Sequence, residues 1–194
     1  MVGTSRFVPL IVAVLLATYC CGLGVSAAPT GDTRNDATEI YGAFLGQWAG
    51  KDPSLINVSN TVDLPPSEAI EQYEQCAGKN GAKDGRQTTY SDAKDLISIR
   101  SPSHVHFVDP KTWHFQDPGT LISKGQSVES AVDAGMAQGL MTLSAITFNG
   151  RRDTAWFTYS FVCGRLCGNG GIVIFKKTSK RWTRDNRRCG SWMS

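Results

Sequence analysis

The chain has 194 residues, a formal net charge of +3 and 41% hydrophobic residues. This length suits one domain with a hydrophobic core, and no run beyond the first 27 residues is apolar for long enough to span a membrane. The charge is uneven: residues 28–140 carry 15 acidic and 9 basic side chains, whereas residues 141–194 carry 2 and 10. We interpret this as a solvated surface of both signs; the alternative is a basic face that attracts polyanions or an anionic membrane.

The first residues have the pattern of a secretory signal peptide. Arg6 precedes an apolar run, and Val25-Ser26-Ala27 supplies the small residues that a signal peptidase reads. Cys20 would suit a lipoprotein, but Tyr19 stands where a small residue is needed, so we do not expect lipidation. We therefore predict a secreted or periplasmic protein divided into a signal peptide (1–27), a disordered lead (28–34) and a single domain (35–194).

Four cysteines follow the leader: Cys76, Cys163, Cys167 and Cys189. An even number in an exported chain indicates two disulfides, and three pairings are possible. Cys163 with Cys167 is the natural local pair, because both flank a glycine-rich turn. That choice leaves Cys76 to pair with Cys189.

The N-terminal half favours two amphipathic helices with a short strand between them. Asp36 and Glu39 resemble a capping box that opens the first helix, and Gly50 ends it. Its apolar stripe is Ile40, Tyr41, Phe44, Leu45 and Trp48. A strand over 55–59 and a second helix over 68–77 follow, with Cys76 on the inward face.

The middle of the chain is less regular. It predicts a short helix over 91–99, a strand over 103–108, and turns at Asp109-Pro110 and Asp117-Pro118. Ser127 caps a further helix that runs to Met136. We predict its apolar stripe to be Val128, Ala131, Val132 and Met136.

The C-terminal third predicts an antiparallel meander. Runs over 140–149, 154–163 and 172–177 are separated by turns, and Asn149-Gly150 is the strongest hairpin signal. In the middle run Phe157, Tyr159, Phe161 and Cys163 share one face, which should pack on helices. The expected fold is therefore α+β, with amphipathic helices on one face of a curved antiparallel sheet; a cystatin-like or nuclear-transport-factor-like cone is the nearest architecture by analogy.

Two groups of side chains could support redox or metal chemistry. Cys163 and Cys167 are one residue further apart than the Cys-x-x-Cys of redox proteins, and they lie between strands, so we expect a structural disulfide with thiol exchange as the alternative. His104 and His106 alternate on a strand and could share a metal ion with His114. Surface histidines of an edge strand explain the same pattern.

A basic cluster surrounds Trp182 and could bind polyanions. Its members are Lys176, Lys177, Lys180, Arg181 and Arg184. Binding of nucleic acid is not expected of an exported protein, and lysines at an edge strand also block unwanted pairing. We find no Gly-x-Ser-x-Gly elbow, and the even cysteine number argues against a cysteine hydrolase, so the sequence predicts neither catalytic residues nor a cofactor.

One segment resembles a known group. The run over 143–149, the aromatic strand, Cys163-Gly164-x-Leu166-Cys167-Gly168-x-Gly170, Trp182 and the closing Trp192-Met193-Ser194 are similar to uncharacterised bacterial exported proteins. The resemblance covers residues 140–194 and does not include Cys76 and Cys189. It implies a bacterial envelope or secreted protein, and it brings no activity with it.

The sequence thus predicts an exported, non-catalytic module that binds a small ligand or an envelope protein in the concavity of its sheet. The alternative is a thiol–disulfide or metal-handling protein that uses Cys163 and Cys167, or His104 and His106.

Overall fold

A computed structural model describes residues 32–50, 55–77, 89–92, 96–99 and 104–194. Its helices are α1 (Asp32–Ala49), α2 (Ser67–Ala77), α3 (Pro118–Ser123) and α4 (Val128–Gln138). Its strands are β1 (Ile56–Asp63), β2 (Thr89–Tyr90), β3 (Val105–Val108), β4 (Leu140–Ser144), β5 (Thr147–Phe148), β6 (Thr154–Gly164), β7 (Cys167–Thr178), β8 (Arg181–Arg184) and β9 (Cys189–Met193). The predicted signal peptide and residues 28–31 of the lead lie outside the described residues, as does part of the helix predicted over 91–99.

The described strands form one strongly curled sheet around the β6–β7 hairpin. β4 and β5 pair with one edge of β6, and β8 and β9 share the outer edge of β7. β1 instead lies parallel to both β3 and β4. The α+β class is confirmed, but the sheet is mixed, because the long connections before and after β3 let the chain re-enter in the same direction.

α1 packs on the sheet face that carries the aromatic residues of β6. The ring centroids of Phe44 and Phe157 are 5.2 Å apart, and those of Trp48 and Tyr159 are 5.3 Å apart. The predicted stripe of α1 is buried or half-buried, and Gly50 ends the helix as expected. The predicted aromatic face is therefore confirmed.

α2 covers the opposite face, so the helices do not lie on one face only. Tyr73 stacks on Trp156 with 4.6 Å between ring centroids, and burial raises the pKa of the Tyr73 hydroxyl. Trp156 points away from its neighbour Phe157 because adjacent residues of a strand face opposite sides. The sheet therefore buries a large aromatic side chain under a helix on each of its two faces.

The start of α1 corrects two predictions. The helix begins at Asp32, within the stretch predicted to be a disordered lead, and Asp36 and Glu39 lie in its second turn. They are not a capping box, because both carboxylates accept hydrogen bonds from Trp182 of β8. Among the described helices, none is both long and apolar enough to cross a bilayer.

Candidate ligand-binding pocket

A pocket of about 690 Å³ lies where α3 and α4 meet the turn between β6 and β7. The turn carries the Cys163–Cys167 disulfide, and we call residues 163–167 the clasp. Apolar side chains dominate the pocket wall: Pro118, Ile122, Val132, Met136, Phe161 and Leu166. Four of them are exposed to solvent, most of all Leu166 at 88%. The pocket is therefore an open apolar site rather than part of the closed core.

α3 was not predicted, although the sequence contains its start signal. Asp117 adopts an extended conformation at the N-cap and accepts a hydrogen bond from the Thr120 amide at 3.3 Å. Pro118 follows in the first turn, where its missing N–H has no cost. The sequence predicts only a turn at Asp117-Pro118, because a helix of six residues is too short to show periodicity.

The predicted stripe of α4 is wrong for three of its four members. Val128, Val132 and Met136 are 63%, 41% and 50% exposed, whereas Ala131 and Gly135 are buried. A Cβ on Gly135 would lie 2.6 Å from Pro118 Cγ and 2.9 Å from the Cys163 carbonyl oxygen. The helix thus packs through its smallest residues, and this close approach leaves Val132 and Met136 free to line the pocket.

The walls of the pocket are tied to one another by Asp117. Its Oδ1 accepts a hydrogen bond from the Arg165 amide of the clasp at 2.8 Å, while Oδ2 caps α3. The bond from the Arg165 amide lowers the pKa of the Asp117 carboxyl below its ordinary value of 3.8, and the Thr120 amide lowers it further. The pocket is accordingly preformed by contacts within the protein.

This carboxylate should make the clasp sensitive to acid. Because the folded pKa of Asp117 is depressed, its contribution to stability is present above about pH 4 and is lost as the pH falls through the folded pKa. We expect Asp117→Ala to lower the free energy of unfolding more at pH 6 than at pH 2, measured by urea denaturation. Equal losses at the two pH values would contradict the assignment.

The structure places each predicted cysteine pair at disulfide distance, with Cα atoms 5.1 Å apart for Cys163–Cys167 and 5.8 Å apart for Cys76–Cys189. Cys163 is 1% exposed and belongs to the main core. Both cysteines lie on strands and neither begins a helix, which is the position that lowers the pKa of a redox-active thiol. The N-terminus of α3 lies beside the clasp, but the Asp117 carboxylate already caps it. These surroundings suit a structural bond rather than one that exchanges readily.

In the part of the chain that the structure describes, the three histidines are not grouped into a metal site. His106 lies on β3 opposite Asn57, with Nδ1 3.4 Å from the Asn57 side-chain oxygen, and its ring faces Trp113. His104 precedes the strand, and His114 is exposed in the segment before α3. Within the described ranges, no three His, Cys, Asp or Glu side chains are grouped so that they could hold a metal ion.

The basic residues around Trp182 do not form one surface. Lys177 and Arg184 lie on the α1 side, where they contact Asp36 and Gln47 respectively. Lys176 points to the opposite face and pairs with Asp185 at 3.5 Å. Lys180 occupies the turn, and Arg181 is exposed at the start of β8. Successive residues of a strand face opposite sides, so the side chains of the predicted polyanion site are divided between the two faces of the sheet.

Asp36 is a buried site that sequence reasoning missed. Its Oδ1 accepts hydrogen bonds from Lys177 Nζ at 2.8 Å and from Trp182 Nε1 at 2.9 Å. Its Oδ2 accepts one from Arg152 Nη2 at 2.9 Å. The carboxylate fastens α1 to β7, to β8 and to the turn before β6, which is a structural role. The sequence signal for this role is an acidic residue on the same side of the predicted helix as its apolar stripe.

Comparison with models of protein families, with curated proteins and with solved structures finds no match for this chain. The class of protein is therefore defined by its own fold and pocket: an α+β domain stapled by two disulfides, with an open apolar pocket beside one of them.

Proposed function

We propose that this protein is an exported, non-catalytic binding module that holds an apolar small molecule in the pocket beside the clasp. The observation that carries the proposal is the preformed apolar cavity of about 690 Å³. This volume falls within the range of small-molecule sites, about 300–1,000 Å³.

The position of the pocket differs from the one expected from the sequence. α1 packs on Phe157 and Tyr159 and so fills the middle of the sheet face that was expected to hold the ligand. The pocket lies instead at the end of β6 and β7, where the clasp meets α3 and α4. Export is supported by the predicted signal peptide, by the two disulfides and by the resemblance to bacterial exported proteins.

A charge placed inside the pocket should weaken binding strongly. We expect wild-type protein to bind the dye 8-anilinonaphthalene-1-sulfonate at one saturable site, and Val132→Glu to weaken binding at least about tenfold. An apolar ligand would displace the water that hydrates a carboxylate on this wall, and this desolvation costs free energy. Fluorescence titration measures the affinity.

Val128→Glu is the matched control, because Val128 is an exposed valine of the same helix that does not line the pocket. It should bind the dye as the wild type does. Equal affinity of Val132→Glu and wild type would refute the proposed site. Native mass spectrometry of protein from an exporting host would then identify any apolar molecule that the wild type retains and Val132→Glu lacks.

A further inference from the structure

A second cleft, of about 270 Å³, lies on the other side of the sheet between α2 and β9. Its floor is a row of residues on neighbouring strands: Trp192 lies opposite Gly170, Gly170 opposite Ser160, and Ser160 opposite Thr142. Residues opposite one another across a ladder point to the same face. The side chains of these residues therefore point to the same side of the sheet, and Trp192, Ser160 and Thr142 line one cleft.

Gly170 creates the space in which the indole ring of Trp192 lies. A Cβ at this position would lie 2.6 Å from Trp192 Cε2, so only glycine allows the ring to rest against β7. Trp192 is nevertheless 43% exposed, whereas Trp156 and Trp182 are 5% and 4% exposed. The glycine-rich segment after Cys167 thus supports an aromatic platform that is open to solvent.

Polar groups surround this platform. Glu68 and Gln72 of α2 form one wall, and Thr142 and Ser160 supply hydroxyl groups from the floor. The Ser160 hydroxyl hydrogen-bonds to no other residue in the described part of the chain. Among the described residues that line the cleft, none is a lysine, arginine or histidine, and Glu68 is the charged one. A phosphate or carboxylate ligand is therefore disfavoured, and a neutral ligand with many hydroxyl groups is favoured.

The two walls are held in place by the Cys76–Cys189 disulfide, which joins the end of α2 to the start of β9. The stack of Tyr73 on Trp156 fixes α2 to the sheet a second time. The spacing between α2 and β9 is consequently set before any ligand binds. A rigid site loses little conformational entropy on binding.

From these contacts we propose that the cleft between α2 and β9 binds one pyranose ring of a neutral saccharide. The ring's C–H face stacks on Trp192, because polarised C–H groups complement the negative face of an aromatic ring. Its hydroxyl groups exchange hydrogen bonds with Gln72, Glu68 and Ser160. This site is separate from the apolar pocket and does not depend on the proposed function.

The test is titration of the full mature protein with neutral methyl pyranosides, followed by tryptophan fluorescence and by ligand-observed NMR. We expect at least one pyranoside to bind with a Kd of about 1 mM, and Trp192→Ala to weaken it at least about tenfold. Trp192→Phe and Gln72→Ala should each cause a smaller loss. Met193→Ala is the matched control, since Met193 is 86% exposed and does not line the cleft.

Failure of every pyranoside to bind at about 20 mM, or equal binding by wild type and Trp192→Ala, would overturn the proposal. Oligosaccharides of the preferred sugar distinguish a free monosaccharide from the end of a glycan: a gain with the second unit indicates a glycan, and no gain indicates the monosaccharide. Val132→Glu should bind the sugar normally. Loss of dye binding without loss of sugar binding therefore tests the two sites independently.

Discussion

Replacing Asp36 by alanine should lower the free energy of unfolding by about 3 kcal/mol. The carboxylate is buried and receives hydrogen bonds from Lys177, Trp182 and Arg152. Without the carboxylate, three donors lose the acceptor that they share. One of these donors, the Trp182 indole N–H, is itself buried. The lower end of the usual 3–5 kcal/mol range applies, because the two cationic side chains keep 26% and 29% of their surface in water. Urea denaturation at pH 7 measures the change.

Asp133→Ala is the control for this experiment, since Asp133 is an exposed aspartate of α4. It should change the stability by less than about 0.5 kcal/mol. Asp36→Asn should fall between the two, because an amide oxygen can still accept from Trp182 but carries no charge for Lys177. If Asp36→Ala lowered the free energy of unfolding as little as Asp133→Ala does, the Asp36 carboxylate would have no role in holding α1 to β8.

Loss of the Cys76–Cys189 disulfide should be the most destabilising change at the cysteines. The bond joins residues 113 positions apart, so in the chain-entropy model it stabilises the fold by about 5 kcal/mol. The double variant Cys76→Ala/Cys189→Ala should also bind the pyranose more weakly, because it releases α2 from β9. Unfolding in urea and sugar titration check the two effects separately.

Cys163→Ala/Cys167→Ala is the matched comparison. Its loop spans a sequence separation of only 4, so the same model gives a loss of about 2 kcal/mol. This variant should weaken dye binding beside the clasp and leave sugar binding unchanged. If the short-loop variant lost as much stability as the long-loop variant, local packing rather than chain entropy would dominate the contribution of these bonds.

Much of the fold follows from local signals. The stripe from Ile40 to Trp48, the Asn149-Gly150 hairpin and the alternation along β6 each predict an element that the structure contains. These patterns are reliable because one face of each element must be buried, and burial requires the helical or strand period. The pairing of β1 with β3 and β4 has no such signal, since the partners of a parallel strand are distant in sequence.

The candidate sites depended on contacts between distant segments. Val132 and Met136 have the same pattern as core residues, and only the approach of Gly135 to Pro118 and Cys163 shows that they line a pocket. Trp192 similarly lies against the sheet because the pairing of β9 with β7 places it opposite Gly170. Hydrophobic periodicity reports which side chains avoid water, but it cannot report which of them the neighbouring elements cover.

The sequence by itself determined the α+β class and the aromatic face of the long hairpin, and it predicted two disulfides from the four cysteines that follow the predicted signal peptide. It did so because periodicity and turn chemistry act over short stretches of the chain, and because the number of cysteines is a matter of composition. The tertiary structure alone decided the parallel strands, the helices on both faces, the role of Asp36 and the two clefts. Each of these arises where segments far apart in the chain meet, and packing there depends on shape, which no single segment encodes.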